Sequence, residues 1–179
     1  MWTWINTSTM SAANTGFEAV QGVLLDTSFI LRLVKPGDPL HPNVHSWFRE
    51  LLGHKVPMYL STIAIAEYCV KGNVGELPLP NLRILPFNMD HAMRAGPFTA
   101  TLLQQRKRAG GDERAVVLND VKLLAQAETT VGISHLLTKD LGFQVRMQQL
   151  RSDGHVLRTQ VLDLNVPMAD ALGRLDFPE

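Results

Sequence analysis

Two short apolar runs, Gly22-Val-Leu-Leu-Asp26 and Ile133-Ser-His-Leu-Leu-Thr138-Lys-Asp140, both lead into an aspartate. Each is too short for a helix and reads as a buried strand. Nothing in the packing of a buried strand asks for an acid at its end. Helical segments separate the strands, and strands that alternate with helices imply right-handed crossovers and parallel pairing. The expectation is a three-layer α/β/α sandwich with a mainly parallel central sheet. In such sheets ligands bind outside the carboxyl ends of the strands, which is where Asp26 and Asp140 stand.

The rest of the chain repeats this logic. Helix Phe29–Val34, capped by Thr27-Ser28, stops before Lys35-Pro36-Gly37. Pro42 suits the first turn of a second helix through Val44, Trp47, Phe48, Leu51 and Leu52, ended by Gly53. Pro57-Met-Tyr-Leu60 is a brief strand, and Ser61-Thr62 caps a helix carrying Ile63, Ala66, Glu67 and Val70. After a loop over 72–81, Leu82–Phe87 reads as an edge strand because of Pro86. Met89–Arg108 is helical in composition, with a break or kink expected at Gly96-Pro97. Asn119 is placed to cap a helix whose Val121, Leu124 and Ala125 form one apolar face. Asp140 opens a further helix to about Arg151, and Leu157–Leu164 reads as the last strand.

Residues 1–20 are rich in Ser, Thr and Asn and read as an extension outside the main fold; residues 21–179 form one domain. The 179 residues are 45% hydrophobic, enough to bury a full core. Lys+Arg and Asp+Glu both number 17, so any nucleic-acid contact must come from a local patch. A single Cys69 excludes an intramolecular disulfide and suits a reducing compartment; its apolar neighbours place it in the core. No apolar run reaches the ~18 residues of a membrane span, and the N-terminal stretch does not read as a secretory signal. The expected location is cytoplasmic.

Four acids carry the candidate chemistry: Asp26, Glu67, Asp120 and Asp140. Strand ends and helix starts gather on one edge of such a sandwich, so these acids can converge, with Asp120 opening its helix. Converging carboxylates repel, and at least one pKa rises unless a cation lies between them. Mg²⁺ or Mn²⁺, which take oxygen ligands, are the cations that suit. Such ions can activate a water and stabilise the leaving oxygen of a phosphodiester. Singly, an Asp after a strand is most often a cap or turn residue; the joint pattern is what points to a site. A Ser or Cys hydrolase would need a nucleophile elbow, and none is present. The six histidines show no zinc spacing.

The motifs Val23-Leu-Leu-Asp26-Thr-Ser, Ser61-Thr-Ile-Ala-Ile-Ala-Glu67, Asn119-Asp120-Val-Lys-Leu-Leu-Ala-Gln-Ala and Leu137-Thr138-Lys-Asp140-Leu-Gly-Phe143 resemble, in order, those of the PIN-domain nucleases. The likeness is strongest to the VapC-type toxins of toxin–antitoxin pairs. It implies a metal-dependent endoribonuclease with Asp26, Glu67, Asp120 and Asp140 as ligands of Mg²⁺ or Mn²⁺, and with Thr27, Ser28 and Thr138 close by. It also implies RNA as substrate, an antitoxin as partner and a homodimer. Members of that family often carry a further acid two residues after the last Asp; this chain has Gly142. The alternative from another class is a catalytically silent PIN-type module that binds RNA or protein. Arg106, Lys107 and Arg108 precede a Gly-Gly loop leading to Asp120 and are the candidate contacts to RNA phosphates. Trp47, Phe48, Leu51 and the Gly96-Pro97 helix offer the apolar surface for dimerisation.

Overall fold

The computed structural model describes residues 20–109 and 114–171. Among them, five parallel strands form one sheet in the order β3-β2-β1-β4-β5. The strands are β1 (Val23–Leu25), β2 (Met58–Ser61), β3 (Arg83–Leu85), β4 (His135–Thr138) and β5 (Gln160–Asp163). The helices are α1 (Thr27–Leu33), α2 (His41–Gly53), α3 (Thr62–Tyr68), α4 (Met89–Ala109), α5 (Arg114–Thr129), α6 (Leu141–Ser152) and α7 (Met168–Ala171). Pairing of β1 with β2 and β4, of β2 with β3 and of β4 with β5 is parallel throughout. This is the three-layer sandwich expected, with β3 at an edge.

The strand sequences explain the layers. Val23 and Leu25 of β1 pack into a core with Phe29 and Ile30 of α1, Trp47 and Leu51 of α2, and Ala64 and Tyr68 of α3. Leu24, pointing the other way, packs with Phe98 and Leu102 of α4, Leu124 and Ala125 of α5, and Phe143 and Leu150 of α6. A strand buried on both faces must be apolar at every position, and β1 is. Gly22 precedes it at a close approach: a Cβ there would lie 2.3 Å from the carbonyl oxygen of Gly132.

Register sets the edge that matters. Leu25 of β1 stands opposite Leu60 of β2 and Leu137 of β4. The next residues, Asp26, Ser61 and Thr138, therefore form a row at the carboxyl ends of the three central strands.

Several sequence expectations are corrected. Asp120 does not open a helix: α5 starts at Arg114, so Asn119 and Asp120 lie mid-helix. The Asn119 amide is engaged by Glu67 rather than by a free N–H of a first turn. The cap of α1 is Asp26, whose side chain accepts from Thr27 N–H, instead of Thr27-Ser28. Helix α4 runs through Pro97 unbroken; Ala95, Phe98 and Leu102 bury that stretch in the core, which offsets the one hydrogen bond proline removes. Cys69 is exposed, because α3 ends at buried Tyr68 and Cys69 and Val70 lie in the turn that follows. Trp47 and Leu51 are fully buried within the chain's own core, so they provide no surface for dimerisation. Val20 is buried; residues 1–19 lie outside the described residues. The last strand is shorter than Leu157–Leu164, because Arg158 is drawn away to the end of α5. There its guanidinium donates to the carbonyls of Ala127, Glu128, Thr130 and Ile133 at 2.6–2.9 Å. Among the described residues no helix is long and apolar enough to cross a membrane.

Candidate active site

The carboxyl edge of the sheet collects all four acids. Asp26 follows β1 and caps α1; its Oδ1 accepts from Thr27 N–H at 2.7 Å. Its Oδ2 accepts from the Thr138 hydroxyl at 2.7 Å. That same hydroxyl oxygen accepts from Asp140 N–H at 3.0 Å, so buried Thr138 fixes both acids at the ends of neighbouring strands. Asp140 caps α6, with Oδ1 accepting from Gly142 N–H at 2.8 Å. Ser28 Oγ accepts from Lys139 N–H at 3.0 Å and ties the turn after β4 to α1.

Glu67 reaches the same edge from α3. The Thr27 hydroxyl donates to its Oε2 and the Asn119 amide to its Oε1. Asp120 arrives from α5, one residue after Asn119, with its side chain largely buried. Burial raises the Asp120 pKa from its ordinary 3.8 to about 7. The Arg146 guanidinium works against that rise, while the charges of Asp26, Asp140 and Glu67 add to it. All three other acids thus act on Asp120, which lies closest to the core.

Arg146, from α6, was not singled out in the sequence and is the site's main addition. Its Nη2 pairs with Oδ2 of Asp120 and, at 2.5 Å, with Oδ2 of Asp140. It stands six residues after Asp140, outside the i+3 and i+4 spacings that mark helix pairs, so no local pattern announces it. Asn119 was read as a cap; its role in holding Glu67 needs the fold, because the two are 52 positions apart.

Arg106 lines a cleft of about 250 Å³ with Leu102, Gly142, Val145, Arg146 and Gln149, next to the acids. The side chains of Lys107 and Arg108 lie outside the described ones.

The donor chemistry fits a hard divalent cation: all four groups are carboxylates, and Asp120 Oδ2 is buried with no hydrogen-bond donor of ordinary geometry, only the Arg146 charge. In this arrangement, however, no three acids among the described residues draw close enough to surround an ion. Protein donors hold them apart: Thr138 on Asp26, Thr27 and Asn119 on Glu67, and Arg146 on Asp120 and Asp140.

No family model matches the chain, and no curated protein does. Solved structures do. A chain of VapBC2 from Rickettsia felis, bound to a DNA fragment from their promoter, aligns over 79% of this chain and 98% of its own. The identity is 20% and the TM-score 0.54. VapC20 of Mycobacterium tuberculosis, a Sarcin-Ricin loop cleaving toxin, aligns over 75% and 97% at 18% identity and a TM-score of 0.48. A chain of DNA-bound VapBC from Salmonella typhimurium aligns over 80% and 98% at 16% identity, also at 0.48. The first likeness establishes a shared fold, the PIN-like sandwich expected from the sequence.

Proposed function

We propose that the chain is a metal-dependent endoribonuclease that hydrolyses RNA phosphodiester bonds, acting as the toxin of a toxin–antitoxin pair. One observation supports the reading: four carboxylates from the end of β1, α3, α5 and the β4–α6 junction lie along the carboxyl edge of a PIN-like sheet, where the charges of three of them act on the largely buried Asp120. Asp26, Glu67, Asp120 and Asp140 would hold Mg²⁺ or Mn²⁺. Such an ion, when bound, supplies the Lewis acid that activates water and stabilises the leaving oxygen.

The chain's own residues set the stage for that chemistry. Thr138 orients Asp26 and places the start of α6. Thr27 and Asn119 fix both oxygens of Glu67 from opposite helical layers. Arg106, Lys107 and Arg108 would hold RNA phosphates beside the cleft. An antitoxin partner and a homodimer belong to the same reading. Exposed Leu31, Val70, Met89 and Met93 are part of the apolar surface left for such contacts once Trp47 and Leu51 are buried.

The test is cleavage of a structured RNA by metal-stripped protein, with EDTA, then with Mg²⁺ or Mn²⁺ restored. Cleavage should require the ion and vanish in Asp26→Asn, Asp120→Asn and Asp140→Asn. Metal-independent cleavage, or wild-type rates in the variants, would refute it. The silent-module reading draws support from Arg146, which already neutralises two of the acids. RNA binding without cleavage under every metal condition would decide for that reading.

A further inference from the structure

Two arginines in this chain are held in opposite ways. Arg158 gives its Nε, Nη1 and Nη2 to four main-chain carbonyls at the end of α5, a set of fixed acceptors. Arg146 donates to no carbonyl among the described residues. Its Nη2 serves Asp120 and Asp140 together, and its Nε is buried without a hydrogen-bond partner. A guanidinium carries five donors; this one is held in place chiefly by the charge of two carboxylates.

The surroundings also leave it free to move. Gly142 makes room for it: a Cβ at that position would lie 2.9 Å from Arg146 Nη1 and 3.0 Å from Asp140 Oδ1. Arg146 and Gly142 both line the cleft of about 250 Å³, together with Arg106, Val145 and Gln149. The side chain has an open volume to enter and, among the described residues, no main-chain acceptor to lose.

We infer that Arg146 is the resident counter-cation of the Asp120–Asp140 pair, and that a divalent ion competes with it for these carboxylates and displaces it toward the Arg106 cleft. This rests on the metal-site reading above. It adds that metal binding is an exchange of one cation for another, so the affinity of the site is set by Arg146 as well as by the acids. Without Arg146, and at a pH where both are ionised, the two carboxylates would repel each other in the metal-free protein and bind an incoming cation more tightly.

The experiment is calorimetric titration of Mn²⁺ into metal-stripped wild type, Arg146→Met and Gly142→Ala. The Met variant keeps an unbranched apolar stem and removes the charge; the Ala variant keeps Arg146 and crowds it from Asp140. Arg146→Met should lower the metal-free Tm yet tighten the Mn²⁺ Kd by on the order of tenfold, the effect of removing a like charge at contact range in a partly screened site. Gly142→Ala should tighten it by less. In wild type, the Arg146 Nε–Hε NMR signal should move on addition of diamagnetic Mg²⁺, with the midpoint that calorimetry gives for Mg²⁺. An unchanged or weaker Kd in both variants, or an Arg146 signal that stays fixed at saturating Mg²⁺, overturns the inference while leaving the metal site standing. If no protein binds either ion, the metal-site reading itself fails and this inference with it. Should the Met variant not fold, the wild-type signal and the Ala variant decide.

Discussion

Replacing Asp120 by Asn should make the metal-free protein more stable at alkaline pH, although it removes half of an ion pair. The Asp120 carboxyl, buried beside Asp26, Asp140 and Glu67 and opposed only by Arg146, has its pKa raised to about 7. In the unfolded chain the value is about 3.9. A group whose folded pKa is raised contributes stability that is complete below the unfolded value and is lost as pH climbs through the folded one. Each pH unit between the two is worth about 1.4 kcal/mol. Wild type should thus give up roughly 3 kcal/mol between about pH 5 and about pH 8. Asn carries no titrating proton, so Asp120→Asn lacks that loss. Buried His91 and His135 have lowered pKa values and act in the opposite sense, losing stability as pH falls, but both proteins share them. The difference between the two profiles isolates Asp120. For a chain of 179 residues, roughly 3 kcal/mol is about 6–12 °C in Tm. Thermal melts of both proteins in EDTA across that range are the assay. Parallel profiles would refute the raised pKa and, with it, the picture of three acids acting on a fourth, largely buried one.

Four further outcomes are expected. Arg158→Met, which strips four carbonyls of their donor, should cost about 3 kcal/mol in urea denaturation while leaving RNA cleavage per folded molecule unchanged. Asp26→Asn should keep the α1 cap, whereas Asp26→Ala should lose it and melt lower by about 1 kcal/mol; equal melting temperatures would deny the cap any weight. Substituting Arg106, Lys107 and Arg108 together by Ala should weaken RNA binding evenly across sequences and reduce the salt slope by up to about 3, and an unaltered slope would remove them from the interface. Light scattering should give twice the chain mass, and a monomer at working concentration would count against the dimer.

What the sequence made legible follows the range of each interaction. Strand identity, parallel topology and the edge position of β3 rest on local pattern: apolar runs of three to four residues, glycine and proline punctuation, and alternation with helices. The same locality found Asp26 and Asp140, because an acid after a buried strand is visible without any partner. Asp120 was found by motif, but its setting was misread, since Asn119 looks like a cap only if the helix begins there. The packing of α5 along α4 carries the helix five residues further back and turns Asn119 toward Glu67. Arg146 was invisible because its two partners lie 26 and 6 positions away, on spacings with no helical meaning.

Two of the acids divide their oxygens between a helix cap and the sheet edge. Asp26 and Asp140 each spend Oδ1 on the first N–H groups of the helix that follows, Thr27 for one and Gly142 for the other. Each turns Oδ2 into the site, toward Thr138 and toward Arg146 respectively. A carboxylate has two oxygens, and a strand-to-helix junction needs only one of them as a cap. An aspartate at that junction is therefore placed by the structure it stabilises: capping holds the second oxygen at a fixed point on the sheet edge, with little rotamer freedom left for an incoming cation to remove. Glutamate would be the poorer choice at either position, because its longer side chain could not cap and point inward at once. Glu67, the one glutamate of the four, caps nothing, and both of its oxygens are instead held by Thr27 and Asn119.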